Sequence, residues 1–501
     1  MARIDIPRSH SLPPLMFLHA LLILGLAGLA FAILSGNTLL LVAIVAAPLG
    51  ILAIGYGFHN LQFAYLLLGL YCCSFLTISR YLYMDKMSVG VDILLLYLAA
   101  AILIHYYVYP GSINLRRALN PLTISYMVWM LFTAIELLNP GTQGKGMERG
   151  IRTIILNTFV MYACTSILSC TPRIMKQCLT VGGIFTIVAF AKLLMQKYVG
   201  FDAAERHFLY VANGAATHLI HSGVRYFSIF PDASMLGSNS GLIATVYLIM
   251  GFATQESRRK IFYLLVGCMA VMGIFLSGTR SALVIPMVGF ALYCLLSKQF
   301  TICITTGLAG LFIFVFFAFT TIGQSNEYIR RARTAFQPSE DASMNVRVRN
   351  RKEMAEYLAL HPMGAGISGT IPKLWFDEAT GTYQQGTLPP DSHYVYVWIQ
   401  NGSLGLGIYI AMHAFWILSG SYIVLFRIRN KRLRLQLASF VCGVFGLMVS
   451  GYTNDTLTQA PNDIMIAVAL AFVMNGPYID KQIQSSAVTS VLHRPQETTA
   501  I

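Results

Sequence analysis

The chain has 501 residues, 56% of them hydrophobic and only 11% charged, where a soluble domain carries about a quarter charged residues. No water-soluble fold can hide that much apolar side chain, so the composition excludes a soluble globular protein. The net charge of +14 comes without any basic stripe interleaved with aromatics on a soluble domain, which argues against nucleic acid as a partner.

The first apolar run, Leu15 to Leu34, is about 20 residues long, enough to cross a hydrocarbon core of about 30 Å. Arg3 and Arg8 precede it, and Ala30-Phe31-Ala32 mimics a cleavage site. A second apolar run nevertheless starts at once after Ser35-Gly36-Asn37, so a retained span is expected rather than a cleaved signal. Further runs lie near 37–57, 61–78, 90–109, 119–139, 152–170, 177–198, 236–253, 260–277, 281–296, 301–322, 404–426, 434–452 and 462–477. The expectation is an all-α integral membrane protein of about fourteen transmembrane helices. Most of the nine cysteines fall within these runs and read as small core residues, not as a disulfide framework.

With the N-terminus inside, the basic loops at Arg116 and Arg117, Arg173 and Lys176, Arg258 to Lys260, Lys298 and Arg427 to Arg434 all fall on the cytoplasmic side. Both termini are then cytoplasmic. The expected organisation is a seven-span bundle over 1–198, a first extracytoplasmic loop over 199–235 and a four-span segment over 236–322. A long extracytoplasmic loop over 323–403, three spans over 404–477 and a cytoplasmic tail over 478–501 complete it. Within the long loop, Val346 to Leu360 has helical spacing and is stopped by Pro362 and Gly364. Tyr394 to Asn401, rich in Trp and Tyr, reads as a short interfacial helix before the next span. The tail after Lys481 is polar and reads as flexible.

Several residues suit chemistry. Leu276-Ser277-Gly278-Thr279-Arg280-Ser281-Ala282 puts one arginine at the mouth between two spans. Arg280 either snorkels to the headgroups or pairs with an anion such as a diphosphate, which a planar guanidinium fits well. The first loop supplies Arg225, together with His218, His221 and Asp232. The long loop carries eight basic and eight acidic residues, with Arg347, Arg349, Arg351 and Lys352 clustered; they either bind a phosphorylated lipid headgroup or form a solvated helix face. In Asp391-Ser392-His393-Tyr394, Asp391 or His393 could act as a general base towards an acceptor hydroxyl, or the segment could simply cap a helix. Asp92, His105, Glu136 and Lys192 are isolated within spans, which does not support an ion pathway. No Asp-x-Asp occurs in an external loop and no Cys or His cluster has metal-ligand spacing, so a metal-held nucleotide-sugar donor is disfavoured.

The order of these features resembles the O-antigen ligase and Wzy O-antigen polymerase superfamily over about residues 220–425. The likeness is carried by the Ser-Gly-Thr-Arg-Ser-Ala junction, by Arg347 to Arg351 leading into Leu360-His361-Pro362-Met363-Gly364-Ala365-Gly366, and by Asp391 to Gly405. The resemblance implies a GT-C-like transferase in the bacterial cytoplasmic (inner) membrane, active on the outer side, that uses an undecaprenyl-diphosphate-linked glycan and a glycan or lipid acceptor. It implies no metal or other cofactor; Arg280 and an arginine of the 347–351 group would neutralise the leaving diphosphate, and Arg225 is a further candidate for binding it. Other polysaccharide-assembly proteins are further candidate partners. Ligases of the family carry a histidine about eleven residues before a Gly-x-x-Gly; here Gly402-Ser403-Leu404-Gly405 supplies the glycines and Asp391 occupies the histidine's place, with His393 two residues away. Either His393 takes the role through a shifted turn, or Asp391 fills the position as an acidic residue does in polymerase-like members, which tilts the expectation towards polymerisation. The competing reading is a flippase for the same intermediate, which would show internal duplication, charged spans and short loops. A non-enzymatic partner in envelope assembly is the third.

Overall fold

The structure, a computed structural model, describes residues 38–84, 86–142, 144–220, 223–333, 342–377 and 382–492. The chain divides into two compact units, residues 1–64 and 65–501. The expected span at Leu15 to Leu34 lies outside the described residues. In the first unit, α1 (Thr38–His59) ends at Asn60, whose side chain accepts hydrogen bonds from the backbone N–H groups of Gln62 (3.1 Å) and Phe63 (3.3 Å) and so starts α2 (Leu61–Leu82), which from Tyr65 onward belongs to the second unit.

The second unit continues with α3 (Val89–Val108), α4 (Pro121–Glu136), α5 (Gly146–Leu168, π-helical over Ile151–Val160), α6 (Pro172–Tyr198) and α7 (Ala203–Tyr210). A two-residue hairpin, β1 (Leu219–Ile220) with β2 (Gly223–Val224), leads to α8 (Ala233–Ala253), α9 (Ser257–Ser277), α10 (Val284–Ser297) and α11 (Phe300–Phe319). Side-chain caps fix the entries: Asn120 for α4, Thr171 for α6 and Asp232 for α8 each accept from first-turn N–H groups.

The long connection folds as α12 (Glu327–Arg333), α13 (Ala342–Leu360) and an antiparallel hairpin of β3 (Pro372–Asp377) and β4 (Thr382–Thr387), in register from Pro372 opposite Thr387 to Asp377 opposite Thr382. There follow α14 (His393–Tyr422), α15 (Lys431–Ser450), α16 (Asn462–Met474) and α17 (Gly476–Leu492). Within α14, Gly402 has φ 63° and ψ −170° and breaks the helix, so the aromatic stretch and the span after it are two pieces that meet at a kink.

Among the described residues nine helices are long and apolar enough to cross a membrane, or ten if α16 and the following helix, bent by 55°, count as one span. The run at 119–139 folds as a 16-residue helix. The protein is therefore a mostly helical, multi-pass membrane protein. Its core is α8 and α15, whose apolar windows are 89% and 78% buried, against 28% for α3. Small residues allow this: a Cβ on Gly446 of α15 would lie 2.2 Å from the carbonyl oxygen of Ile285 in α10.

Two expectations are corrected. The polar segment after Lys481 continues as helix to Leu492, held where Asp480 accepts the backbone N–H groups of Arg429 and Asn430, each at 3.0 Å. Two of the four span residues are not isolated either. Asp92 pairs with Arg152 at 2.6 Å, and Lys192 pairs with Asp202 at 2.6 Å and Glu205 at 3.1 Å, so each charge sits beside its opposite.

Candidate functional site

α9 ends at Gly278, whose φ of 59° is the left-handed conformation that stops a helix and suits glycine. The chain is then stapled to the start of α8: Thr279 Oγ1 donates to the Ala233 carbonyl at 2.9 Å. Half-buried Arg280 opens a short 3-10 turn at this junction.

Arg225 comes from the first loop and donates to Thr279 Oγ1 (3.1 Å), Ser234 Oγ (3.3 Å) and the Thr217 carbonyl (3.3 Å). Burial lowers its pKa, Asp232 opposes that, and the charges of Arg280 and Arg347 lower it further. Arg225, Arg280 and Arg347, from three separate parts of the chain, thus bring like charges near one another, with Asp232 as an opposing charge.

Arg347 and Arg351 stand one turn apart on α13. Arg347 donates to the Thr453 carbonyl at 3.0 Å; Arg351 donates to the Tyr452 carbonyl at 2.9 Å and lies 4.4 Å from the centre of that ring. Arg349, two residues from each, falls on another face and is exposed.

Asp391 is half-buried just before α14 and accepts a long hydrogen bond, 3.4 Å, from Asn350 of α13. His393, the first residue of α14, is 2% exposed. Its Nδ1 lies 2.7 Å from Asp455 Oδ1 and its Nε2 2.8 Å from the Tyr409 hydroxyl. A carboxylate only accepts, so Nδ1–H donates to Asp455 and, in the neutral ring, Nε2 accepts from Tyr409. His218 is no freer: Nδ1 lies 2.8 Å from the Gly214 carbonyl, Nε2 accepts from Ala233 N–H at 3.3 Å, and burial lowers its pKa. Asp232 caps α8, and His221 lies outside the described residues.

The segment 451–456 joins these parts, and sequence reading missed it. Besides taking Arg347, Arg351 and His393, it receives the backbone N–H of His393 on Gly451 (3.0 Å) and Asn454 (3.2 Å), and the Ser392 hydroxyl on Gly451 (3.1 Å). Asn454 also donates to Ser281 beside Arg280, and Thr456 meets Ser238 of α8 at 3.1 Å. The signal was the polar run Thr453-Asn454-Asp455-Thr456 between two apolar spans.

The loop after α13 seats the kink. Ala365 N–H donates to the Ile399 carbonyl at 2.7 Å, and a Cβ on Gly402 would lie 1.9 Å from the Pro362 carbonyl oxygen. The arginine junction, the loop and the kink all lie in one stretch of chain. Residues 264–410 match the O-antigen ligase family. The matched stretch runs from α9 through the Arg280 junction, α13 and Asp391 past the kink, while Arg225 and Asp455 lie beyond its two ends. The likeness is to a family described as O-antigen ligases and covers under a third of the chain. No curated protein matches the chain.

Proposed function

We propose that the protein transfers a glycan from undecaprenyl diphosphate to an acceptor hydroxyl on the outer side of the bacterial cytoplasmic membrane, as a polymerase in preference to a ligase. The meeting of Arg225 with Thr279 beside Arg280, and of Arg347 with Thr453 next to the Asn454 that bonds Ser281, carries this reading. The acceptor oxygen bonds to the anomeric carbon as the bond from that carbon to the diphosphate oxygen breaks. The bonding pair leaves with the diphosphate, and the arginines neutralise the charge that a metal would otherwise balance.

Asp391 takes the acceptor proton. It is half-buried with one long hydrogen bond, whereas both ring nitrogens of His393 are engaged and the ring is buried. His393 is then a positioning residue that fixes the start of α14 two residues away. Asp391 at this place in the matched stretch favours chain extension, with another lipid-linked repeat unit as acceptor.

The test is reconstitution in lipid with a polyprenyl-diphosphate-linked repeat unit and EDTA, products being resolved by gel. A ladder of longer lipid-linked glycans from wild type, lost in Arg280→Ala, supports the polymerase. Transfer only after a lipid A-type or protein acceptor is added would make it a ligase. Movement of the substrate across the bilayer without transfer would overturn the enzyme reading.

A further inference from the structure

Away from the arginines, a cavity of about 1050 Å³ lies between the end of α4, the start of α5, the end of α13 and the loop 361–370. Its floor holds a buried acid. Glu136 is 1% exposed; its Oε2 accepts from Asn139 Nδ2 at 3.0 Å, and its Oε1 has no hydrogen-bond partner among the described residues. Ser368 Oγ on the same wall also has no partner among the described residues, and its backbone is held at φ 61°. Buried polar atoms left unpaired cost stability, so acceptor atoms facing a cavity are set for a ligand that donates hydrogen bonds.

Two backbone approaches shape the walls. Asn139 Nδ2 also donates to the Met363 carbonyl at 3.2 Å, and Ile367 N–H donates to Thr142 Oγ1 at 2.9 Å, tying the 139–142 turn to the loop. The Tyr357 and His361 rings stack at 4.2 Å beside the cavity. The rim is apolar: Ile135, Leu138, Leu360 and Met363 are exposed.

This chemistry selects among ligands. No Lys or Arg lines the cavity among the described residues to neutralise a diphosphate. One carboxylate in so large a space does not suit a lone cation. Hydroxyl donors on a neutral sugar suit both unpaired oxygens, and an apolar rim suits a lipid anchor. Ile367 and Ser368 also line the smaller cavity, about 130 Å³, that His393 and Tyr409 face, so one loop separates the two spaces.

We propose that the Glu136 cavity holds the sugar of a lipid-anchored acceptor, apart from the arginines that hold the donor diphosphate. The inference rests on the transferase reading above. The probe is an alkyl glycoside of the repeat unit, which lacks a diphosphate and can only accept. Initial rates are measured in lipid nanodiscs with this probe and the diphosphate donor varied separately.

Glu136→Gln is expected to raise the KM for the alkyl glycoside by up to about ten-fold, the worth of one hydrogen bond, with the donor KM unchanged. Ser368→Gly, which suits the left-handed backbone and so removes the hydroxyl without a folding penalty, should shift the same KM in the same direction. Arg280→Ala should instead act on the donor. Transfer by wild type with an unaltered acceptor KM in both variants overturns the acceptor cavity and leaves the transferase standing. Absence of transfer by wild type to any acceptor overturns the transferase reading and this inference with it.

Discussion

Asp455 holds Nδ1 of His393 at 2.7 Å across 62 residues of chain. A carboxylate on one imidazole nitrogen fixes the tautomer and the plane of the ring, and loss of such a partner commonly costs 10–100-fold in activity. If His393 positions the start of α14 beside Asp391, Asp455→Asn should lower the turnover of glycan transfer about ten-fold or more while the donor KM stays near wild type. A rise in donor KM alone would show that the 451–456 segment acts through Arg347 instead.

The arginines should not behave alike. Removing a donor aimed at developing negative charge costs about 10²–10³ in rate, so Arg225→Gln and Arg347→Gln should each lose activity on that scale. Arg349 is exposed on another face of α13, and Arg349→Ala should stay within about three-fold of wild type, since exposed charges contribute little. Steady-state rates on the same lipid-linked donor separate them. Equal losses at 347 and 349 would mean that α13 binds glycan over its whole surface.

Gly402 combines φ 63° with ψ −170°, a region that only glycine enters cheaply and that costs other residues about 1–3 kcal/mol. A Cβ there also meets the Pro362 carbonyl oxygen at 1.9 Å, so Gly402→Ala must displace the 361–370 loop as well. The expected result is a fall of several degrees in the midpoint of thermal unfolding, followed by tryptophan fluorescence in detergent, together with loss of transfer. Gly407, where an added Cβ meets nothing within 4 Å, supplies the control: Gly407→Ala should leave the midpoint unchanged or raise it.

The readable parts of this protein are those set by local rules. Spans show in the sequence because a bilayer demands length and apolarity, and the break at Gly402 shows because Gly402-Ser403-Leu404-Gly405 interrupts an aromatic helix. The four-residue step from Arg347 to Arg351 already places both on one face. The 451–456 segment is of another kind. Asn454 meets Ser281 across 173 positions and Arg347 meets Thr453 across 106, distances at which no periodicity operates. The β3–β4 hairpin was equally hidden, because Thr382–Thr387 reads Thr-Tyr-Gln-Gln-Gly-Thr and carries no apolar stripe. Asp391 and His393 stood two residues apart in the sequence with equal claims, and only burial and hydrogen bonding tell their surroundings apart.

Asp202 gives a pH dependence with a definite sign. It starts α7 as its N-cap, accepts from Lys192 Nζ at 2.6 Å and receives the Tyr81 hydroxyl. Burial pushes its pKa up, but the hydrogen bonds from Lys192, Tyr81 and the Glu205 backbone N–H outweigh that and bring it down to about 2. An unfolded chain would titrate near the ordinary aspartate value of about 3.9. The folded form therefore binds the proton less readily, and the contribution to stability is complete above about pH 4 and lost as the pH falls towards 2. Its size is at most about 2 kcal/mol, since solvent reaches part of the pair. Thermal midpoints measured from pH 6 down to pH 2 should fall more steeply in wild type than in Asp202→Asn, which lacks the titrating group. Parallel curves would place the acid sensitivity elsewhere, and a crossing with the variant more stable at neutral pH would show that the buried Lys192 cluster costs more than it contributes.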